Sequence, residues 1–223
     1  MAQLVLVRHG ESTANRDNIY TGWSDVPLTA KGEQEAKQIG AKLATLQIPF
    51  SACHTSVLTR AIMTSYLILD QLHLNWIPLY KTWRLNERHY GALRGLNKAK
   101  SKEIFGVTQI ARWRRSFTSV PPMLETPDLD RRYQQLDVRD VPRGESLKMA
   151  AARLQPYYDD QIVPRLMRGE DQLVVAHGSS LRALLKYIEN ISDTDINGVE
   201  VQNGEAIIYS FDEQLNLVDK ARA

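Results

Sequence analysis

Short apolar runs alternate with stretches of helical period along most of this chain. That alternation confines it to βαβ units and a mainly parallel sheet covered on both sides. Leu4-Val5-Leu6-Val7 is apolar at four consecutive positions, as in a strand buried on both faces. Four further runs read as strands: Phe50 to His54, Trp76 to Leu79, Gln172 to Ala176 and Ala206 to Phe211. Asp212-Glu213-Gln214-Leu215 is expected to turn the last of them back as a hairpin. Thr29 is the expected N-cap of a helix reaching about Gln47, with Ala36, Ile39, Leu43 and Leu46 in one apolar stripe. Ser56 is expected to cap a second helix, on which Leu58, Ala61, Ile62, Ser65 and Leu69 share a face. A third helix after residue 177 carries Leu181, Leu184, Leu185 and Ile188. The expected fold class is therefore α/β: three layers, a mostly parallel central sheet with helices on both faces, and one antiparallel edge strand.

The stretch from Lys98 to Leu166 interrupts the alternation, being helical mainly at Thr108–Phe117 and Glu145–Leu166. Between them, Ser119–Arg143 is polar and holds four of the nine prolines, which marks a functional loop, a lid or an exposed excursion. With no repeat, low-complexity tract or linker, residues 1–223 are expected to form one domain with a helical and loop insertion at about 98–166.

Composition excludes several classes. With 43% hydrophobic and 24% charged residues, the chain is not disordered, collagenous or a coiled coil. No apolar run approaches the length of a membrane span, and the N-terminus lacks the basic leader of a signal peptide. Cys53 is the single cysteine, so an internal disulfide and a thiolate metal cluster are both out, and a cytoplasmic location is expected. Charge is unevenly spread. Lys81 to Arg115 holds ten Lys or Arg against Glu87 and Glu103, a local +8 in a chain whose total is +2. Such a concentration suits a small, highly charged anion better than a long nucleic acid, although a solvated basic helix face would look the same.

In open parallel sheets, ligands bind beyond the carboxyl ends of the strands. Arg8 and His9 follow the first strand, Arg60 the second, Glu87 the third and His177 the fourth. A strand-end histidine alone is more often packed than catalytic, but five such groups meeting at one rim suggest phosphate chemistry. Guanidinium groups and helix N-termini bind phosphate oxygens. A neutral imidazole can accept a phosphoryl group, a second imidazole can stabilise it in transit, and Glu87 can move a proton unless it only pairs with Arg84 or Arg88. No Asp/Glu or His spacing suggests a metal site, and no Gly-x-x-x-x-Gly-Lys loop suggests a nucleotide.

Arg8-His9-Gly10-Glu11-Ser12 resembles the signature of the histidine phosphatase superfamily. Asn15, Thr21-Gly22-Trp23, Thr55-Ser56-Val57-Leu58, Arg60-Ala61, Leu85-Asn86-Glu87-Arg88-His89-Tyr90-Gly91, Gly95-Leu96-Asn97-Lys98-Ala99, Trp113-Arg114-Arg115, Gly144-Glu145-Ser146-Leu147, and Val175-Ala176-His177-Gly178 with Ser180-Leu181-Arg182 narrow it. Over residues 3 to 218 the chain is similar to the cofactor-dependent phosphoglycerate mutases. The resemblance implies that His9 is the nucleophile, Glu87 the proton donor and acceptor, and His177, Arg8 and Arg60 the stabilisers of the transferring group. Asn15, Gly178 and Ser179 would complete a phosphate pocket. Thr21, Gly22, Arg88, Tyr90, Lys98, Arg114 and Arg115 would hold the substrate's carboxylate and second phosphate.

The implied reaction interconverts 3-phosphoglycerate and 2-phosphoglycerate, primed by 2,3-bisphosphoglycerate as cofactor and without a metal. Ser119–Arg143 is expected to help close the site against water. Position 179 is serine where the family commonly has asparagine, and the last strand ends close to Ala223 where many relatives carry a longer tail. Two other readings stay open at this point: a phosphatase of the same superfamily, and a phosphometabolite-binding protein without turnover. Small-molecule phosphoglycerates are the expected partners, with neither nucleic acid nor membrane. The relatives' range from monomer to tetramer leaves a dimeric or tetrameric homo-oligomer open.

Overall fold

The structure, a computed structural model, describes every residue except Leu129. In chain order its main elements are β1 (Ala2–Arg8), α1 (Thr13–Arg16), α2 (Ala30–Thr45), β2 (Ala52–Thr55), α3 (Thr59–Gln71), β3 (Leu79–Lys81), α4 (Lys98–Phe105) and α5 (Val107–Arg115). There follow α6 (Leu147–Tyr157), a π-helical turn (Tyr158–Ile162), α7 (Val163–Met167), β4 (Gln172–Ala176), α8 (Gly178–Ile188), β5 (Ala206–Phe211) and β6 (Leu217–Arg222). The six strands form one sheet in the order β3-β2-β4-β1-β5-β6. The first four are parallel, and β5 runs against both β1 and β6. The expected hairpin closes at Asp212–Asn216, so β5 lies one strand in from the edge and β6 lies outside it.

Alternation along the central strands builds the three layers. Leu4, Leu6, Val174, Ala176, Ile207 and Tyr209 share one core with α6, the π turn, α7 and α8. Val5, Val7, Leu173, Val175, Ala206 and Ile208 face the other way, into a core with α2 and α3. Because consecutive side chains of a strand point to opposite faces, a run with no polar break needs cover on both. No described helix is long and apolar enough to cross a membrane.

Local chemistry sets the helix starts. Thr29 caps α2 by accepting from the Gly32 N–H, as expected. The chain after β1 passes so close to that cap that a Cβ on Gly10 would lie 2.1 Å from the Gly32 carbonyl oxygen, so glycine is required by space there. Ser56 does not cap α3: Leu58 occupies that position without a side-chain bond, and Ser56 turns its hydroxyl elsewhere. The third strand also lies later than expected. Trp76 is 78% exposed in the preceding turn, and only Leu79–Lys81 pairs with β2. Ser119–Arg143, apart from Leu129, includes contacts to the loops that carry Trp23, Asp25 and Asn86: the Tyr133 ring lies 4.6 Å from Trp23, tilted at 45°, its hydroxyl accepts from Asn86 Nδ2, and Arg132 pairs with Asp25.

Candidate active site

The register of two neighbouring strands builds the centre of the site. Arg8 pairs with Ala176 across β1 and β4, and the His9 N–H donates to the Ala176 carbonyl at 3.0 Å. The next residue on each strand, His9 and His177, is therefore side by side, with ring centroids 4.9 Å apart and planes at 63°. Both rings are buried. This is the crevice where the chain leaves the sheet in opposite directions: α2 and α3 lie on one face, α8 on the other.

His9 is held in one tautomer. Its Nδ1 lies 2.7 Å from the Gly10 carbonyl, which can only accept, so Nδ1 carries the proton and Nε2 keeps its lone pair. Burial, then Arg60 and Arg8, push the His9 imidazole well below the ordinary histidine range. His177 is driven down the same way by burial, Arg60, His9 and Arg8. Both rings are thus neutral at physiological pH.

The guanidinium groups are anchored by backbone carbonyls. Arg60, fully buried on the first turn of α3, donates to the Ser24 and Gly22 carbonyls at 2.9 Å each. Burial lowers it to about 10, so it remains charged. Arg8 donates to the Val201 carbonyl at 2.6 Å, and its Nε has no partner among the described residues. Glu87 projects from the loop after β3. Its Oε1 accepts from the Arg88 N–H at 2.7 Å and from the Ser179 N–H, on the first turn of α8, at 3.1 Å. That loop is clamped by a buried ion pair: Arg153 on α6 reaches both Glu145 oxygens and donates to the carbonyls of Trp83, Arg84, Asn86 and Glu87. Sequence reading gave Arg153 no role, since nothing in a helix interior announces which carbonyls its side chain will reach.

These groups open into a cavity of about 180 Å³. Of the expected residues, Arg8, His9, Asn15, Thr21, Gly22, Arg60 and Glu87 line it, together with Tyr90, Lys98, Arg114, Arg115, Gly178 and Ser179. His177 lies behind the wall against His9, and Arg88 is placed differently from expectation. Arg88 is fully buried and donates to the Trp113 and Arg114 carbonyls in the last turn of α5, with its guanidinium 4.7 Å from the Tyr90 ring. Arg182, part of the motif after His177 but without a role in the sequence reading, donates to the Arg114, Arg115 and Ile196 carbonyls. Cations are favoured at a helix C-terminus, and here two of them fix the turn from which Arg114 and Arg115 reach the cavity.

Glu200, Val201 and Gln202 also line the wall, and Glu200 pairs with Arg115. Their signal in the sequence is nil, because the preceding loop has no periodicity. No described residue of Ser119–Arg143 lines the cavity, and Leu129 within it lies outside the described residues. Arg8, Arg60, Lys98, Arg114, Arg115 and Arg182 face only Glu87 and Glu200, so the cavity is strongly cationic. Among the described residues no group of His, Cys, Asp and Glu could hold a metal ion.

The buried histidines make stability depend on pH. Burial lowers both His54 and His89 to about 4, besides the shifts at His9 and His177. An unfolded chain protonates histidine near pH 6.5, so below that value it binds protons that the folded chain refuses. The stabilisation is complete above pH 6.5. It falls by about 1.4 kcal/mol per pH unit for each such histidine as pH drops toward their folded-state values. Urea titrations are expected to show a steep loss between pH 6.5 and 4. Stability that holds level across that window would contradict the buried neutral rings.

The histidine phosphatase superfamily (branch 1) profile matches residues 4–136 and 125–222. The chain is 57% identical to 2,3-bisphosphoglycerate-dependent phosphoglycerate mutase 1 of Latilactobacillus sakei, over 100% of this chain and 94% of that protein. It is 59% identical to 2,3-bisphosphoglycerate-dependent phosphoglycerate mutase 2 of Lactobacillus johnsonii, over 99% and 96%. Among solved structures, a mycobacterial glucosyl-3-phosphoglycerate phosphatase in complex with VO3 superposes with a TM-score of 0.74 at 22% identity, over 94% of this chain and 93% of that one. Phosphoglycerate mutase from Bacillus anthracis superposes with a TM-score of 0.68 at 22% identity, over 93% and 88%. The two structures speak to the fold alone.

Proposed function

The chain belongs to the histidine phosphatase superfamily, and we propose that it is the 2,3-bisphosphoglycerate-dependent phosphoglycerate mutase that its full-length relatives are named for. It interconverts 3-phosphoglycerate and 2-phosphoglycerate, a step of glycolysis and gluconeogenesis. The observation that carries this reading over a phosphatase is the identity of 57 to 59% across the whole chain to mutases. The chemistry of the site fits the cofactor: a cationic cavity whose Arg8 Nε, Arg182 Nε and Tyr20 hydroxyl have no hydrogen-bond partner among the described residues suits a small polyanion.

In this reading bound 2,3-bisphosphoglycerate supplies the phosphoryl group that primes the site. Nε2 of His9, with its lone pair free, would take that group as its P–O bond to the cofactor breaks, giving phosphohistidine, and Glu87 would give a proton to the oxygen left behind. The P–N bond then breaks as the free hydroxyl of a monophosphoglycerate forms a P–O bond, and Glu87 accepts the hydroxyl proton. Arg8, Arg60 and His177 stabilise the charge on the oxygens in transit, aided by Asn15 and the Gly178 and Ser179 backbone. Thr21, Gly22, Tyr90, Lys98, Arg114 and Arg115 hold the carboxylate and the second phosphate, with Arg88 supporting Arg114 from behind. His9 takes back the other phosphoryl group after the ligand has turned, and Glu87 returns its proton. The same reading takes residues 1–223 as one catalytic unit in the cytoplasm, the inserted segment 98–166 supplying Lys98, Arg114 and Arg115. Its partners are phosphoglycerates and neither nucleic acid nor membrane, and a homo-oligomer is compatible with it.

A coupled assay on 3-phosphoglycerate tests the proposal. A trace of 2,3-bisphosphoglycerate is expected to stimulate isomerisation, and EDTA to leave it unchanged. Phosphate release without isomerisation would replace the mutase by a phosphatase, and binding without either reaction would remove the enzyme.

A further inference from the structure

The ladder between β1 and β5 ends one residue short of His9. Arg8 makes its last backbone rungs, donating to the Glu205 carbonyl at 3.1 Å and accepting from the Gly204 N–H at 3.2 Å. Gly204 takes the left-handed conformation at φ +68°, and the backbone pairing stops there. No backbone N–H of a described residue reaches the carbonyl of the buried His9. Its donor is a side chain: Nδ2 of Asn203 lies 2.8 Å from that oxygen. A carbonyl only accepts, so the amide end that faces it is the nitrogen. The other end of the same peptide is held as well. The Gly10 N–H donates to the Thr64 hydroxyl on α3 at 3.2 Å, and that hydroxyl donates to the Arg60 carbonyl at 2.8 Å. Neither Asn203 nor Thr64 lines the cavity.

We propose that Asn203 and Thr64 are positioning residues: together they fix the plane of the His9–Gly10 peptide, and with it the aim of the His9 ring. Glycine has the widest choice of torsion angles, so Gly10, which space against Gly32 requires, leaves this peptide free to rotate unless its two polar ends are held. Asn203 donates to one end and Thr64 accepts from the other, so a rotation breaks both bonds where neither backbone group has another described partner. The carbonyl that fixes the ring at Nδ1 belongs to Gly10, in the next peptide along, and would be carried off with it. Phosphoryl transfer needs Nε2 in line with the bond that breaks, and a small misplacement of the nucleophile is felt in the rate more than in binding. The role of the two residues in turnover rests on the mutase reading; their hold on the peptide does not.

Two near-isosteric variants, Asn203→Leu and Thr64→Val, remove one hydrogen bond each and test the proposal beside NMR of the intact wild-type chain. Each variant is expected to lower kcat about tenfold, with KM for 3-phosphoglycerate within about threefold. Affinity for orthovanadate, which adopts the geometry of a phosphoryl group in transit, is expected to fall about tenfold, and affinity for inorganic phosphate to stay within about threefold. A merely structural role would lower the melting temperature without that split. In the wild-type chain, a scalar coupling across the hydrogen bond from Asn203 Nδ2 to the His9 carbonyl carbon is expected, with the Arg8–Glu205 and Gly204–Arg8 rungs as internal reference. Those rungs without the Asn203 coupling would overturn the proposal whether or not the chain is a mutase. Folded variants with wild-type kcat and vanadate affinity, or with a loss confined to KM, would overturn the role in turnover.

Discussion

Replacing His9 by asparagine is expected to lower the mutase rate by about 10⁴-fold or more, equivalent to about 5 kcal/mol of barrier, without unfolding the chain. The size follows from what the ring does. His9 has a free lone pair at Nε2 because Nδ1 is committed to the Gly10 carbonyl, and an uncharged ring because burial and two guanidinium groups disfavour its cation. An asparagine amide can still donate toward Gly10, so the packing against His177 is disturbed little, yet it cannot accept a phosphoryl group. Steady-state assays with saturating 2,3-bisphosphoglycerate, beside a thermal melt, separate the two effects. A cooperative melt near the wild-type temperature with activity lost is the expected pair of results. A variant that folds and turns over within tenfold of the wild type would remove His9 as nucleophile.

Glu87→Gln is expected to reduce kcat by about 10² to 10⁴-fold while KM for phosphoglycerate changes little. Glutamine keeps an oxygen that can accept from the Arg88 and Ser179 N–H groups, so the loop and the first turn of α8 stay in register. What it loses is the ability to take up and return a proton. The carboxylate's place at the N-terminus of α8 is electrostatically favourable in its own right. The variant therefore distinguishes a helix-terminus anchor from a proton carrier. Unchanged kcat would mean that Glu87 serves only as the anchor. The clamp beneath it predicts a different signature: loss of Arg153 would leave the buried Glu145 carboxylate without its cation, held only by the His89 N–H, a change felt first in stability.

The central sheet was legible because β1 and β4 each carry four consecutive apolar residues, Leu4–Val7 and Leu173–Ala176, a pattern that suits a short strand buried on both faces. The rim of the site was legible for the same reason: strand ends locate it, and Arg8, His9, Glu87 and His177 sit at strand ends or one short loop beyond. Edges and inserted helices were not. β3 has three residues and pairs on one side only, so the apolar letters at Trp76 and Ile77 pulled the expectation forward into a turn. α4 was passed over because its first turns are lysine-rich and only Ser101 is buried. Arg88 is expected at the substrate, and Arg153 and Arg182 have no assigned role in the sequence. Each instead turns inward to backbone carbonyls, a choice made by tertiary placement that local periodicity does not encode. Ser56 is the same case in small: an N-cap candidate by position, it bonds to a residue 121 places away.

The account turns on one bond, between phosphorus and Nε2 of His9. Brief incubation with labelled 2,3-bisphosphoglycerate, quenching in alkali and peptide mapping reads it directly. The expected result is a single acid-labile phosphoryl group on His9, discharged on adding 3-phosphoglycerate. An acid-stable label, or one on any other residue, would contradict the account.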